Sequence, residues 1–230
     1  SPSEAAAIAA LVAHTPSARL LRHDQSLGAA AARNLAAAEA RGDVLAFLDS
    51  DDWWVPERLA VHRTALAPPG IVLSYNRARL TRSGAGSARG IVGRAPSSRW
   101  PLPIALPGWN FVGSCSSVCV TAAAFRHVGG FDPSLPSCQD WDLWLRLSKG
   151  GDFAFVAEPL TFADIGPHAR ITTSSGAVEA GHARVHARAL ELAVTASTRR
   201  HVAAEHLWTL AEIESRFGRP GPALGHMLQS

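Results

Sequence analysis

The 230-residue chain contains a single lysine, Lys149, so its formal charge of +3 at pH 7 is carried by arginine. Those arginines are scattered rather than gathered into a stripe, which argues against a nucleic-acid partner. Cysteine is also scarce. Cys115, Cys119 and Cys138 cannot all pair within one chain, and their spacing matches no zinc pattern with histidine or cysteine partners. They read as reduced, buried thiols of a cytosolic protein. No apolar run reaches the roughly eighteen residues that a membrane span requires, and Pro101, Pro103, Pro107 and Gly108 interrupt the most apolar region. No signal peptide is visible either; the chain opens without Met, at Ser1-Pro2-Ser3-Glu4, directly into a predicted helix over 3–14, which leaves upstream targeting segments open. What remains is a chain of a length to bury a sizeable core, as one domain with an appendage. Its abundance of Ala and Arg beside one Lys is the usage of a GC-rich bacterial genome.

One stretch stands out from this background. Val44-Leu45-Ala46-Phe47-Leu48 is an apolar run that ends abruptly at Asp49-Ser50-Asp51-Asp52. Five consecutive apolar residues predict a strand buried on both faces, and packing such a strand does not call for acids at its end. Alternation along an extended strand would put Asp49 and Asp51 on one side and Ser50 and Asp52 on the other. Two carboxylates on one side form half a cage for Mg²⁺ or Mn²⁺, hard cations that complete their shells with water and phosphate oxygens. The competing reading is a set of caps for the next helix, since Asp is favoured at N-caps; one acid fits that role better than three.

Around this stretch the pattern predicts short strands over 18–22 and 71–75, a turn over 24–28, an Ala-rich helix ending with Gly42 at its C′ position, and a helix over 57–66. Strand, helix and strand in close succession predict a parallel sheet with crossover helices, whose ligands sit beyond the carboxyl ends of the strands. Residues 82–98 read as a loop or irregular hairpin, 118–120 as a strand, 122–127 and 140–149 as helices. Beyond residue 172 strand signals cease. Leu207, Leu210, Ile213 and Phe217 recur at helical spacing, and Gly218-Arg219-Pro220-Gly221 predicts a turn before a last short helix. His182, His186, His201 and His206 have helical spacing but no other ligand type beside them, which favours packing over metal binding.

Gly28 with Ala32-Arg33-Asn34, then Ala40 with Gly42-Asp43, then Phe47-Leu48-Asp49 with Asp51-Asp52, Trp54 and Pro56-Glu57, resembles the nucleotide-sugar half of an inverting family-two glycosyltransferase of the GT-A fold. A second block, Gly129-Gly130-Phe131-Asp132 followed by Gln139-Asp140-Trp141-Asp142-Leu143-Trp144-Leu145-Arg146-Leu147, resembles the acceptor-side segment of the same family. Two ordered blocks across roughly residues 20 to 172 are more specific than one. The resemblance implies an α/β fold of GT-A type, Rossmann-like, with a mostly parallel sheet and flanking helices. It implies a GT-A domain over 1–172 that lacks its first strands, and so part of its base and ribose pocket, and a helical C-terminal extension over 173–230.

The implied activity is inverting transfer of a sugar from a nucleotide-diphosphate sugar to an acceptor hydroxyl, in bacterial cell-surface glycan synthesis. Mn²⁺ or Mg²⁺ would be held by Asp51, with Asp49 sharing the metal or contacting the ribose and Asp52 in support. Asp140 would be the base that takes the acceptor proton; its alternative role is an N-cap of the following helix. Gln139 stands where the family commonly has Glu, which touches the tuning of the base rather than its presence. Arg33 and Asn34 reach either toward donor phosphates or toward the acid-tipped strand as tethers. His168 falls where many GT-A enzymes bring a late basic residue to the metal or diphosphate. Trp109, in a loop flanked by Pro and Gly, and Trp141 are candidates for an acceptor pocket, although Trp141 and Trp144 at helical spacing favour core. The acceptor would be a carbohydrate, a lipid-linked glycan or a protein, and the location cytoplasmic, peripherally at the inner membrane face. Two other classes stay open: a non-catalytic homologue acting as a binding module, and a metal-dependent nucleotidyltransferase, which would want a Gly-rich, Lys-bearing phosphate loop.

Overall fold

The computed structural model describes residues 2–22, 24–82, 85–96, 102–166 and 174–218. Helix α1 (Pro2–Ala13) leads into residues 18–22, which are extended but join no ladder among the described residues. The strand expected there is not formed: Leu20 and Leu21 remain 39% and 38% exposed, with no neighbouring strand to pair their backbone. Helix α2 (Gly28–Glu39) turns Ala30 and Ala37 into the core and stops at Ala40, which is already extended. The predicted glycine cap at Gly42 is therefore not used. Strand β1 (Val44–Ala46) follows, then β2 (Trp53–Trp54), α3 (Arg58–Ala65), the long β3 (Ile71–Arg82) and β4 (Ala85–Val92). After α4 (Leu102–Gly108) a 3-10 turn over Cys115–Ser117 feeds β5 (Val118–Thr121), α5 (Ala122–His127) and α6 (Gln139–Leu147). Strand β6 (Asp152–Asp164), α7 (Ser175–Leu192) and α8 (Ala196–Arg216) complete the described chain.

The sheet order is β1-β5-β3-β6-β2, with β4 paired to β3 as a hairpin. The α/β class expected from the sequence is present, but the sheet is not mostly parallel. Among the described residues only β3 and β6 pair in parallel; every other pairing is antiparallel. The physical reason lies in one insertion. The β1–α3–β3 crossover does bring the chain back in the same direction, but β5 then threads between β1 and β3 and runs against both. Strand β1 also lies at the sheet edge, where Val44 is 40% exposed and only Leu45 is buried. The expectation of a strand buried on both faces is corrected accordingly.

The core is a continuous cluster. Leu45, Leu73 and Val120 of the sheet, Trp141, Leu143, Trp144 and Leu145 of α6, Val185 and Ala189 of α7 and Val202 of α8 all belong to it. Burying apolar surface at about 25 cal/mol per Å² makes this cluster the main stabilising term. Helix α7 is further fixed to α6 by Asp142, itself buried, whose two oxygens meet Arg146 at 2.7 Å and Arg188 at 2.6 Å. Beneath α3 a second layer is polar: Arg58 and His62 are buried against Ser74 and Asn76 of β3 and Thr161 of β6. The 172/173 boundary and the final turn and helix expected past residue 218 lie outside the described residues. No helix among the described residues is long and apolar enough to cross a membrane.

Candidate active site

The acids after β1 do not continue the strand. Asp49 to Asp52 form a turn closed by the Asp52 N–H donating to the Asp49 carbonyl at 3.1 Å. The alternation predicted for an extended strand is thus corrected: a turn, not a pleat, sets where each carboxylate goes. Asp52 belongs to the scaffold. Its Oδ1 accepts the Asp164 N–H at 3.1 Å, tying the turn to the end of β6. Burial pushes the Asp52 pKa up, against hydrogen bonds from Ser116 and the Asp164 amide that lower it. Asp51 sits at the third position of the turn and is partly accessible.

Asp49 faces the other way, toward α2, where its Oδ1 is paired with Arg33 Nη2; the two side chains remain 33% and 22% exposed. Asp140, on the first turn of α6, lies within electrostatic reach of both. Three separate stretches of sequence therefore bring Arg33, Asp49 and Asp140 into one cluster, with Cys115 beneath it. Burial raises the Asp140 pKa, while the Trp141 amide, which donates to its Oδ1 at 2.7 Å, and Arg33 pull it down. Raising a carboxylate's pKa makes it a stronger proton acceptor once ionised. Burial works to lower the Arg33 pKa and is outweighed by its anionic neighbours. Burial also pushes the Cys115 thiol up, so it is neutral at pH 7, and the carboxylates are what hold the guanidinium's charge.

Asp140 is not the N-cap of α6. That position belongs to Cys138, two residues earlier, and Asp140 lies inside the first turn, where helix-dipole and backbone N–H groups favour a carboxylate. Cys138 has φ 57°, the left-handed region, and no other non-glycine residue among those described has a positive φ. This kink directs the chain into α6. Asn34 is a tether: its Oδ1 accepts the Phe131 N–H at 2.9 Å and its Nδ2 donates to the Phe131 carbonyl at 2.8 Å. Both halves of the amide bond the backbone of Phe131, which ties α2 to the Gly129-Gly130-Phe131 segment.

Of the two tryptophans expected at an acceptor pocket, the structure places one at a cleft and one in the core. Trp109 is 40% exposed and lines a cavity of about 390 Å³ with Arg94, Phe111, His201 and Glu205; the Arg94 guanidinium lies 3.9 Å over its ring. Trp141 is 6% exposed, donates its indole N–H to the Leu106 carbonyl at 2.9 Å and stacks on His182. It backs the site instead of facing ligand. His168 lies outside the described residues. His182 and His206 are hydrogen-bonded at 2.9 Å and His186 stacks on His206 at 3.6 Å, which makes these three residues packing between α7 and α8.

Among the described residues no three His, Cys, Asp or Glu side chains converge as a complete metal cage. Asp49 and Asp51 offer only carboxylate oxygens, the donor type that suits Mg²⁺ or Mn²⁺ when water and phosphate supply the remaining positions. Two residues escaped the sequence reading. Cys115 and Ser116 sit under the cluster and the acid turn respectively; Ser116 accepts the Asp49 N–H at 3.0 Å on Oγ and the Trp54 indole N–H at 2.7 Å on its carbonyl. Nothing in the spacing of Ser114-Cys115-Ser116-Ser117 marks them, apart from being small polar residues placed before an apolar strand.

A mixed α/β sheet that gathers acids and an arginine beyond the end of a strand defines a ligand-site class of α/β protein. Comparison with known proteins narrows the class. Residues 1–79 match the model for Glycosyl transferase family 2. An uncharacterized glycosyltransferase of Haemophilus influenzae is 29% identical over 146 residues, covering 62% of this chain and 49% of that protein. The Escherichia coli UDP-Glc:alpha-D-GlcNAc-diphosphoundecaprenol beta-1,3-glucosyltransferase WfgD is 26% identical, covering 60% of this chain and 51% of its own length. The chain thus spans about half the length of these relatives. Among solved structures, S. aureus TarS superposes with a TM-score of 0.64 at 13% identity, over 92% of this chain and 36% of that one. The mannosyltransferase PcManGT from Pyrobaculum calidifontis, in complex with GDP-Man and Mn²⁺, gives 0.56 at 14% identity, over 99% and 73%. Over residues 1–79 the chain is thus similar to the family-two glycosyltransferases, and it shares the fold of TarS and PcManGT.

Proposed function

We propose that this protein transfers a sugar from a nucleotide-diphosphate sugar to an acceptor hydroxyl, with inversion at the anomeric carbon. The observation that carries the reading is the meeting of Arg33, Asp49 and Asp140 at the end of β1. An alcohol is a weak nucleophile until its proton is removed, and Asp140 is the carboxylate placed to take it. The freed oxygen attacks the anomeric carbon as the bond to the diphosphate breaks, and the bond's electrons leave with the diphosphate; attack from the face opposite the leaving group inverts the centre. Arg33, held by Asp49, places a positive charge where the diphosphate gains its negative charge. Asp51 and Asp49 would hold Mn²⁺ or Mg²⁺, whose contribution when bound is to neutralise that leaving group.

Support for the donor class comes from the relatives: TarS has been solved with UDP-GlcNAc, PcManGT with GDP-Man and Mn²⁺, and WfgD is named for a UDP-Glc donor and a lipid-diphosphate acceptor. A lipid-linked glycan made at the inner face of a bacterial membrane, in the course of cell-surface glycan synthesis, is the acceptor we favour. Trp109 with its cleft is the surface on which that acceptor would rest, since indoles stack on sugar rings. The experiment is release of UDP, GDP or dTDP by the purified protein from a panel of nucleotide sugars, with and without Mn²⁺. Turnover of one donor that disappears in Asp51→Ala and falls at least a hundredfold in Asp140→Asn is expected. A folded protein that turns over no donor would move the assignment to a binding module.

A further inference from the structure

We infer that Ser116 is the positioning residue of the acid turn, a buried hydroxyl that holds the turn at its first residue and thereby aims Asp51 and Asp49. Ser116 has 0% exposure and lies in the 3-10 turn immediately before β5. Its Oγ accepts the backbone N–H of Asp49, the first residue of the turn, at 3.0 Å, and the same side chain acts to lower the pKa of Asp52, the fourth, against the burial that raises it. The serine's own backbone is immobilised in turn: its carbonyl accepts the Trp54 indole N–H at 2.7 Å and the Thr161 hydroxyl at 3.2 Å. Trp54 is clamped by the buried Arg58 guanidinium, 4.0 Å over its ring.

The consequence is geometric. With its first residue held, the turn keeps Ser50 exposed and Asp51 half-buried beside it. The same 3-10 turn places Cys115 under the Arg33, Asp49 and Asp140 cluster, so one short element supports both the acids and the base. Deleting the Ser116 hydroxyl would leave the Asp49 amide without its partner, and a polar group deprived of its hydrogen bond destabilises the conformation that made it. The inference rests on the transferase reading for what Asp49 and Asp51 bind, but the clamp itself does not.

The test compares Ser116→Ala with Ser117→Ala, a second buried residue of the same 3-10 turn, 2% exposed, to which no site role is given. Two quantities are read: hydrogen exchange of the Asp49 amide by NMR, and the Mn²⁺ concentration for half-saturation in the presence of UDP, followed by electron paramagnetic resonance. In Ser116→Ala the Asp49 amide is expected to exchange at least tenfold faster while Leu45 and Val120 keep their protection, and half-saturation should rise at least tenfold. Ser117→Ala should stay within twofold on both. Ser116→Cys keeps the volume with a weak donor and acceptor, gives the same ordering at smaller amplitude, and serves if the Ala variant does not fold. Unchanged Asp49 exchange overturns the clamp. Faster exchange with unchanged Mn²⁺ half-saturation overturns its role in aiming the acids. If the wild type binds neither Mn²⁺ nor UDP, the transferase reading is what fails, and Asp49 exchange still decides the clamp.

Discussion

His62 provides a measurable link between a buried network and acid sensitivity. The imidazole is 1% exposed, with Nε2 2.8 Å from Asn76 Oδ1 and Nδ1 2.6 Å from Ser74 Oγ. Asn76 Oδ1 also accepts from Arg58 Nε at 3.1 Å, which fixes that atom as the amide oxygen. His62 must therefore donate from Nε2 and accept the Ser74 hydroxyl at Nδ1. A proton on Nδ1 would reverse the second bond, making Ser74 Oγ the acceptor, and would set another positive charge beside Arg58. Burial first, and then the Arg58 charge, lower the His62 pKa from 6.5 to about 4. The folded imidazole stays neutral while the unfolded chain takes up a proton below its ordinary value, so the stability His62 contributes is complete above about pH 6.5 and is lost as pH falls toward 4. At ~1.4 kcal/mol per pH unit the loss by pH 5.0 is about 2 kcal/mol, a large share of a typical ~5–15 kcal/mol. Urea denaturation at pH 7.5 and pH 5.0 reads it directly. Wild type should lose about 2 kcal/mol more than His62→Gln over that interval, because glutamine can keep the donor to Asn76 but does not titrate. Equal losses in the two proteins would refute the tautomer and the burial argument together.

Asp140→Asn should raise the melting temperature at pH 7.5 even as it removes turnover: burial holds the Asp140 pKa above its ordinary value, so its ionised form costs stability, and the gain should shrink as pH falls and the wild-type carboxyl protonates. For the same reason the acid limb of the wild-type rate profile should lie above the range of an exposed carboxylate, as a steady-state pH series would show. Gly181→Ala should destabilise by about 1–3 kcal/mol in chemical denaturation, because its new Cβ would meet Ser137 Oγ and lie 2.7 Å from the Ser137 carbonyl oxygen, forcing α7 away from the segment that enters α6. Trp109→Ala should raise the acceptor KM at least fivefold and leave donor hydrolysis without acceptor unchanged; a change in hydrolysis alone would remove Trp109 from the acceptor side.

The helices and the site were legible in different degrees. Helices α5 and α6 fall where the sequence puts them to within a residue or two, because their apolar period and their motif residues agree, and Asp140 came with α6. The Arg33 and Asp49 pairing was within reach once α2 and β1 were adjacent. Strand direction was not legible, since the placing of β5 between β1 and β3 depends on pairing across long stretches of chain that no local pattern records. Strand β6, the longest in the sheet, was not foreseen; it carries Pro159 in its interior, where the register shift near Arg77 and Pro159 absorbs the missing donor. The acid turn was read as extended because alternation holds only while a strand lasts, and β1 ends at Ala46. Cys115 and Ser116 act through where their backbone passes, so residue type and spacing left them unmarked.

The unbroken core that joins β1, α6, α7 and α8 bears on how such a protein can change its acceptor over evolutionary time. A recombination event that exchanged everything after β6 would bring in new His201 and Glu205 positions for the cleft beside Trp109, and in the same stroke new partners for Trp141 and Trp144. Novelty at the cleft and integrity behind Asp140 are inherited together. On the transferase reading proposed above, acceptor preference should therefore drift by single substitutions at the α8 positions that line the cleft, while wholesale shuffling of the C-terminal helices would be purged as a folding defect before selection could see the new pocket.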